Sequence, residues 1–142
     1  MAIGSVIPDD TIRAYEKAHY DVLGDAPFTL RIGARSDALS DLYMRNQVAS
    51  VAFLTAENPF GVLTNSITNA CCQDRLVREI IKGKLIFMNG VGRDPLDEWP
   101  GETSLLILGI ARETATRLGV RYRQNAIVWS GANAIPELVL LR

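Results

Sequence analysis

Glu102 is the residue of this chain best placed for acid–base chemistry. It closes a Gly- and Pro-rich stretch and stands just before the apolar run Leu105–Ile110. A carboxyl held against apolar walls has a raised pKa and can exchange a proton near neutral pH. Around it, amides and hydroxyls gather at the ends of other apolar runs. Thr55 and Asn58 follow Val48–Leu54, Asn69 lies a little further on, and Gln124 and Asn125 precede Ala126–Trp129. Amide side chains both donate and accept, so this set suits a small polar ligand, or the edge of a base or another amide. The competing role is architectural. Asn58 can make an Asx-turn into Pro59, Asn69 can cap or pack locally, and Gln124 and Asn125 can satisfy loose backbone groups at a sheet margin. Arg31 can clamp a phosphate or carboxylate bidentately, or pair with Glu102 as a half-buried ion pair. Trp99 can close over a flat ligand as a lid, or pin its loop to the core. The residues themselves leave these pairs of readings open.

Other chemistries find little support. His19 is the only histidine, and no nucleophile motif accompanies it, so a catalytic triad is not expected. Cys71 and Cys72 are adjacent, and neighbours on a helix point about 100° apart. They read as two small core-facing thiols rather than a redox or metal pair. No metal site and no cofactor is expected. Gly90–Asp94 (GVGRD) lacks the spacing of a phosphate loop and reads as a mobile loop. Arg117, Arg121 and Arg123 read as a solvated basic rim.

The chain has 142 residues, 15 of them basic and 16 acidic, for a formal charge of −1. That length suits one domain, 1–142, with one core. A chain so close to neutral has no global field to hold a polyanion, so nucleic acid is a disfavoured partner. Met1–Pro8 lacks the basic start and apolar run of a signal peptide, and no apolar run is long enough to span a bilayer. The expected compartment is the cytoplasm, with no membrane partner.

The elements that must position these residues follow from periodicity. A helix capped by Asp9 and Asp10 is predicted to run to about Tyr20, with Ile12, Tyr15 and His19 on one face. Phe28–Ile32 alternates as a strand ended by Gly33, and Ser36 caps a short helix carrying Leu39, Leu42 and Tyr43. Val48–Thr55 reads as a central, doubly covered strand. A helix over Ser66–Lys82 follows, with Ile67, Cys71, Val77 and Ile81 as its inner stripe and Gly83 as its left-handed cap. Leu85–Met88 is a strand, Asn89–Gly101 a loop, Ser104–Ile110 a buried strand, and Ala111–Leu118 a helix stopped by Gly119. Asn125–Ser130 and Glu137–Leu141 form a closing antiparallel hairpin. The fold class is therefore α/β or α+β, with a mixed sheet of about five to six strands flanked by helices. Strand 104–110, its helix and strand 125–130 suggest a right-handed parallel unit.

Five segments, FTLRIG (Phe28–Gly33), AFLTAENP (Ala52–Pro59), WPGETSLLILGI (Trp99–Ile110), RQNAIVW (Arg123–Trp129) and the closing ELVLLR, occur in an order that resembles a bacterial family, domain of unknown function 3293. The resemblance implies a small cytoplasmic protein and supplies no reaction. Its polar signature falls on Arg31, Thr55, Asn58, Asn69, Glu102, Ser104, Gln124 and Asn125. Two positions depart from it: Gly61 stands where a Ser is expected, and Arg123 where a Gly is expected before the Gln-Asn pair.

The reading these residues favour is a binding or regulatory module for a small polar, nucleotide-like or amide-bearing metabolite, in a pocket of Arg31, Asn58, Asn69, Gln124 and Asn125 beneath Trp99. Two alternatives stand beside it. One is a hydrolase or transferase with Glu102 as general base. The other is an interaction module pairing through Leu138–Leu141, which leaves a homo-oligomer open.

Overall fold

A computed structural model describes residues 4–142; Met1–Ile3 of the stretch read for a leader lies outside the described residues. The chain order is α1 (Asp9–Lys17), β1 (His19–Val22), β2 (Phe28–Leu30), α2 (Asp37–Asn46), β3 (Val51–Leu54), a 3-10 turn (Pro59–Gly61), α3 (Ser66–Lys82), β4 (Ile86–Arg93), β5 (Glu102–Leu108), α4 (Arg112–Arg121), β6 (Ala126–Ser130) and β7 (Glu137–Leu140). The fold is α+β. One sheet of seven strands has the order β2-β1-β4-β5-β3-β6-β7, and every pairing in it is antiparallel rather than mixed. Strand β3 is central, as its unbroken apolar run implied, and all four of its residues are buried.

The sheet's two faces have separate cores. Val51 and Phe53 of β3, with Leu106 and Leu108 of β5, pack against Leu39, Leu42 and Tyr43 of α2. Their alternates Ala52, Leu54, Leu105 and Ile107 pack against Leu76 and Ile80 of α3 and Leu118 of α4. The sheet curls around α2. The segment after β2 reaches the one before β7, where Gly33 and Ser36 donate backbone bonds to the Pro136 and Ala134 carbonyls at 2.8 and 2.9 Å. Ser36 caps α2 as expected, accepting from the Leu39 N–H at 3.0 Å. No helix among the described residues is long and apolar enough to cross a membrane.

Several elements differ from expectation, each for a tertiary reason. Helix α1 ends at Lys17, and Pro8 rather than Asp9 or Asp10 is its N-cap. His19 therefore belongs to a strand. Tyr20 and Val22 turn inward while β1 pairs with both β2 and β4, a non-local stabilisation that helical periodicity cannot register. The stretch Gly90–Arg93 of GVGRD is not a loop but the end of β4, with Asp94 just beyond it. Its Gly90 faces Phe53 so closely that a Cβ would lie 2.6 Å from the ring, a close backbone approach that marks glycine in strands. Helix α3 has the predicted bounds, but of its predicted inner stripe only Val77 packs against the core. Ile67 and Ile81 are 77% and 59% exposed and Cys71 is exposed, while Asn69, Gln73, Leu76 and Ile80 point inward. Gly83 adopts right-handed φ/ψ, and Lys84 takes the left-handed position after it. Gly119 does not stop α4. It is buried inside the helix, where a Cβ would lie 2.8 Å from Ile127 and 2.5 Å from Leu141. Strands β5 and β6 run in the same direction, but β3 lies between them, so they are not a directly paired parallel unit.

Candidate functional site

The polar ends of β3, β5 and β6 meet at one corner of the curled face. Register places Glu102 of β5 beside Gly92 of β4 and Tyr20 of β1 in a single row, so all three side-chain positions lie on the α2 side of the sheet. Gly92 contributes no side chain there, and the space it leaves is part of a narrow pit of about 60 Å³. Thr55, Glu102, Ser104, Gln124 and Asn125 line the pit together with Tyr15, Tyr20 and Trp99. A wider vestibule of about 540 Å³ adjoins it, and Tyr15, Trp99, Glu102 and Asn125 stand in the walls of both. The outer walls of the vestibule include Ile7, Phe60, Leu63 and Arg142. A third space, about 440 Å³, lies behind Asn58 along the first half of α3.

Glu102 is the carboxylate among the pit's lining residues. Its Oε2 accepts from Asn58 Nδ2 at 2.9 Å, while Oε1 has no partner among the described residues. Burial pushes its carboxyl above the usual range; the Asn58 bond acts the other way, and the nearby Glu57 charge adds to the rise. Tyr15 and Tyr20, whose hydroxyls lose solvent here, are also raised, first by burial. Tyr20 donates to the Tyr15 carbonyl at 2.5 Å, which ties α1 to the sheet at the cavity wall.

The hydroxyls and amides divide sharply in their engagement. Thr55 Oγ1 donates to the Thr103 carbonyl at 2.6 Å and accepts from the Glu57 N–H at 3.0 Å. Ser104 Oγ donates to the Glu102 carbonyl at 3.0 Å. Gln124 Nε2 bridges the carbonyls of Glu57 and Tyr122 at 3.0 and 3.1 Å, and its Oε1 accepts from none of the described residues. Asn125 Nδ2 donates to the Tyr15 hydroxyl at 3.1 Å, and its Oδ1 accepts from Arg142 Nη1 at 3.0 Å. Asn58, left-handed at φ 48°, is a hub. Its Oδ1 accepts from the Thr64 N–H and from Asn69 Nδ2, at 2.9 and 3.0 Å. Asn69 Oδ1 in turn accepts from the Asn58 N–H at 3.0 Å. Asn65, not Asn69, caps α3.

Six of the nine expected residues thus line the pit: Thr55, Trp99, Glu102, Ser104, Gln124 and Asn125. Asn58 reaches the vestibule and holds Glu102. Asn69 is buried behind it, lining the third space. Arg31 lines none of these three spaces. It is exposed beyond the edge strand β2, its charge is felt by His19, and it makes no ion pair with Glu102. The N-terminus of α3 opens on the third space rather than the pit. Tyr15, Tyr20, Gly92, Phe60 and Arg142 were not anticipated at the site. Only Tyr15 carried a signal, as an inner-face residue of α1; the others arrive through pairing of distant segments.

A family model described as a protein of unknown function (DUF3293) matches residues 54–127. The chain belongs to that family. The matched stretch, just over half of the sequence, holds every expected site residue except Arg31. Tyr15, Tyr20 and Arg142 lie outside it. Neither a curated protein nor a solved structure matches the chain.

Proposed function

We propose that the pit and vestibule bind a small, flat, polar metabolite of nucleotide-like or amide-bearing kind. Its hydrogen-bonding head enters the pit, and its body lies in the vestibule against Trp99. The observation that carries this reading is the sharing of Tyr15, Trp99, Glu102 and Asn125 between the two spaces. A vestibule of about 540 Å³ falls within the size range of small-molecule sites. Inside the pit, Glu102 Oε1 and Gln124 Oε1 accept nothing from the described residues, so an amide or amine N–H on the ligand complements them. Thermal-shift titration of amides, nucleobases and nucleosides tests the proposal. At least one compound should raise the melting temperature of the wild type and leave Trp99→Ala unmoved. A panel that moves neither protein would remove the reading.

One observation favours a second, catalytic reading. Glu102 is raised by burial while Asn58 fixes one of its oxygens, which leaves the other free to take a proton from a bound nucleophile. As general base of a hydrolase or transferase, Glu102 gives a clear expectation: Glu102→Gln retains ligand affinity and loses turnover. Normal turnover in that variant would exclude it from the role.

A further inference from the structure

The vestibule also holds a cation that the binding reading leaves without a task. Arg142 lies over the Phe60 ring, 4.2 Å from its centroid, and donates through Nη1 to Asn125 Oδ1 at 3.0 Å. The ion pairs among the described residues use Arg13, Arg35, Arg93, Arg112 and Arg121, and none uses Arg142. A guanidinium carries five N–H donors, so most of its fork stays available. Stacking on an aromatic face fixes its plane, which pre-organises the two parallel donors that a carboxylate or phosphate accepts.

The shelf beneath this guanidinium is itself unusual. Phe60 holds φ 56°, flanked by Asn58 at φ 48° and Gly61 at φ 75°. A left-handed backbone at a bulky aromatic is a genuine outlier, kept only where its surroundings over-determine it, and such outliers cluster at ligand sites. Here the Phe60 N–H donates to the Arg123 carbonyl at 2.6 Å. Gly61 leaves clear the place where a Cβ would stand 3.0 Å from Asn125 Nδ2.

We propose that Arg142, held on Phe60, receives an oxyanion on the ligand whose N–H end enters the pit at Glu102. The ligand class is then a carboxylate or phosphate joined through a flat body to an amide or amine. The inference rests on the binding reading above and gives that site a second pole. Asn125 supports a single ligand reaching both poles, because it is bonded to Arg142, belongs to the pit wall and belongs to the vestibule wall. Three carboxylates line the vestibule: Glu102 at the mouth of the pit, Asp10, which is paired with Arg13, and Glu98.

Three probes separate the terms: benzamide, 4-carbamoylbenzoate and 4-carbamoylphenyl phosphate. Each is titrated against wild type, Arg142→Ala and Arg142→Lys by two-dimensional NMR. An anionic probe should bind wild type about tenfold more tightly than benzamide, the scale of one charge-assisted pair. Arg142→Ala should abolish that gain, so that the three probes bind the variant with affinities within about twofold of one another. Arg142→Lys should restore only part of it, since an ammonium lacks the planar fork. A gain confined to one of the two anionic probes identifies carboxylate or phosphate as the group and supports the inference. Benzamide binding with no gain from either anion, or a gain that survives in Arg142→Ala, overturns the inference and leaves the binding reading standing. Failure of all three probes removes both.

Discussion

Two groups of buried amides flank the same strand ends, and they do different work. Asn58 and Asn69 face each other across the turn after β3. Every polar atom of their side chains is engaged, with each other, with Thr64 or with Glu102. Gln124 and Asn125 open β6 and stand in the pit wall. Gln124 keeps its Oε1 free of the described residues, and Asn125 has as partners two side chains from distant segments, Tyr15 and Arg142. The residue types are the same. The difference is whether every side-chain polar atom is spent in closing the turn and holding Glu102, as in Asn58 and Asn69, or whether the amide keeps a free acceptor or a partner on the cavity rim, as in Gln124 and Asn125.

The largest way to test that contrast is Asn58→Ala. It strips partners from Thr64 N–H, Asn69 Nδ2 and the Glu102 carboxyl together, and should cost about 2–4 kcal/mol. Urea denaturation measures it, and a loss below about 0.5 kcal/mol would mean the turn does not depend on its hub. Trp99→Ala, on the other side of the contrast, should cost less stability, about 1–2 kcal/mol for a half-buried indole, and should remove any ligand-induced thermal shift. A retained shift would free Trp99 from the site.

Glu102→Gln should move stability through pH rather than through packing. Burial raises the native carboxyl above its unfolded value, so the native state holds a proton that the unfolded chain has already released. The stability tied to that proton is fully present below the unfolded pKa and lost as pH rises through the native one. The amide variant keeps an acceptor for Asn58 and has no such loss. Its stability relative to wild type should therefore climb with pH across the window just above the ordinary carboxylate range. Urea midpoints at a series of pH values read this directly, and a flat difference would contradict it. The smallest effect belongs to Arg31→Ala. An exposed side chain outside both cavities should change stability by less than about 0.5 kcal/mol and leave the thermal-shift response intact. Loss of the response would return Arg31 to the site.

Much of this molecule was legible in order along the chain. The bounds of α3, the Ser36 cap of α2, the central burial of β3 and the closing hairpin all follow from local pattern. Five residues of the family's polar signature, Thr55, Glu102, Ser104, Gln124 and Asn125, line the pit. Legibility failed where inward position depends on hydrogen bonding rather than hydropathy. Asn69 and Gln73 occupy the inner face of α3 because they hold the chain after β3, with Gln73 Oε1 accepting from the Ala56 N–H at 3.0 Å. An apolar stripe predicts the opposite face. Gly90 and Gly92 looked like loop residues, yet they are strand residues whose missing side chains admit Phe53 and open the pit.

By itself, the sequence narrowed the fold class to α/β or α+β and determined many of the element bounds and the polar identity of one corner, because helical and strand periods and cap residues act over a few neighbouring positions. Tertiary structure alone decided that Tyr15 and Arg142, from opposite ends of the described chain, share Asn125, and that Arg31 stands apart. It also decided which oxygen of Glu102 is held and which is free. These outcomes depend on strand order and on the curl of the sheet around α2, which join segments far apart along the chain, and local pattern carries no record of such pairings.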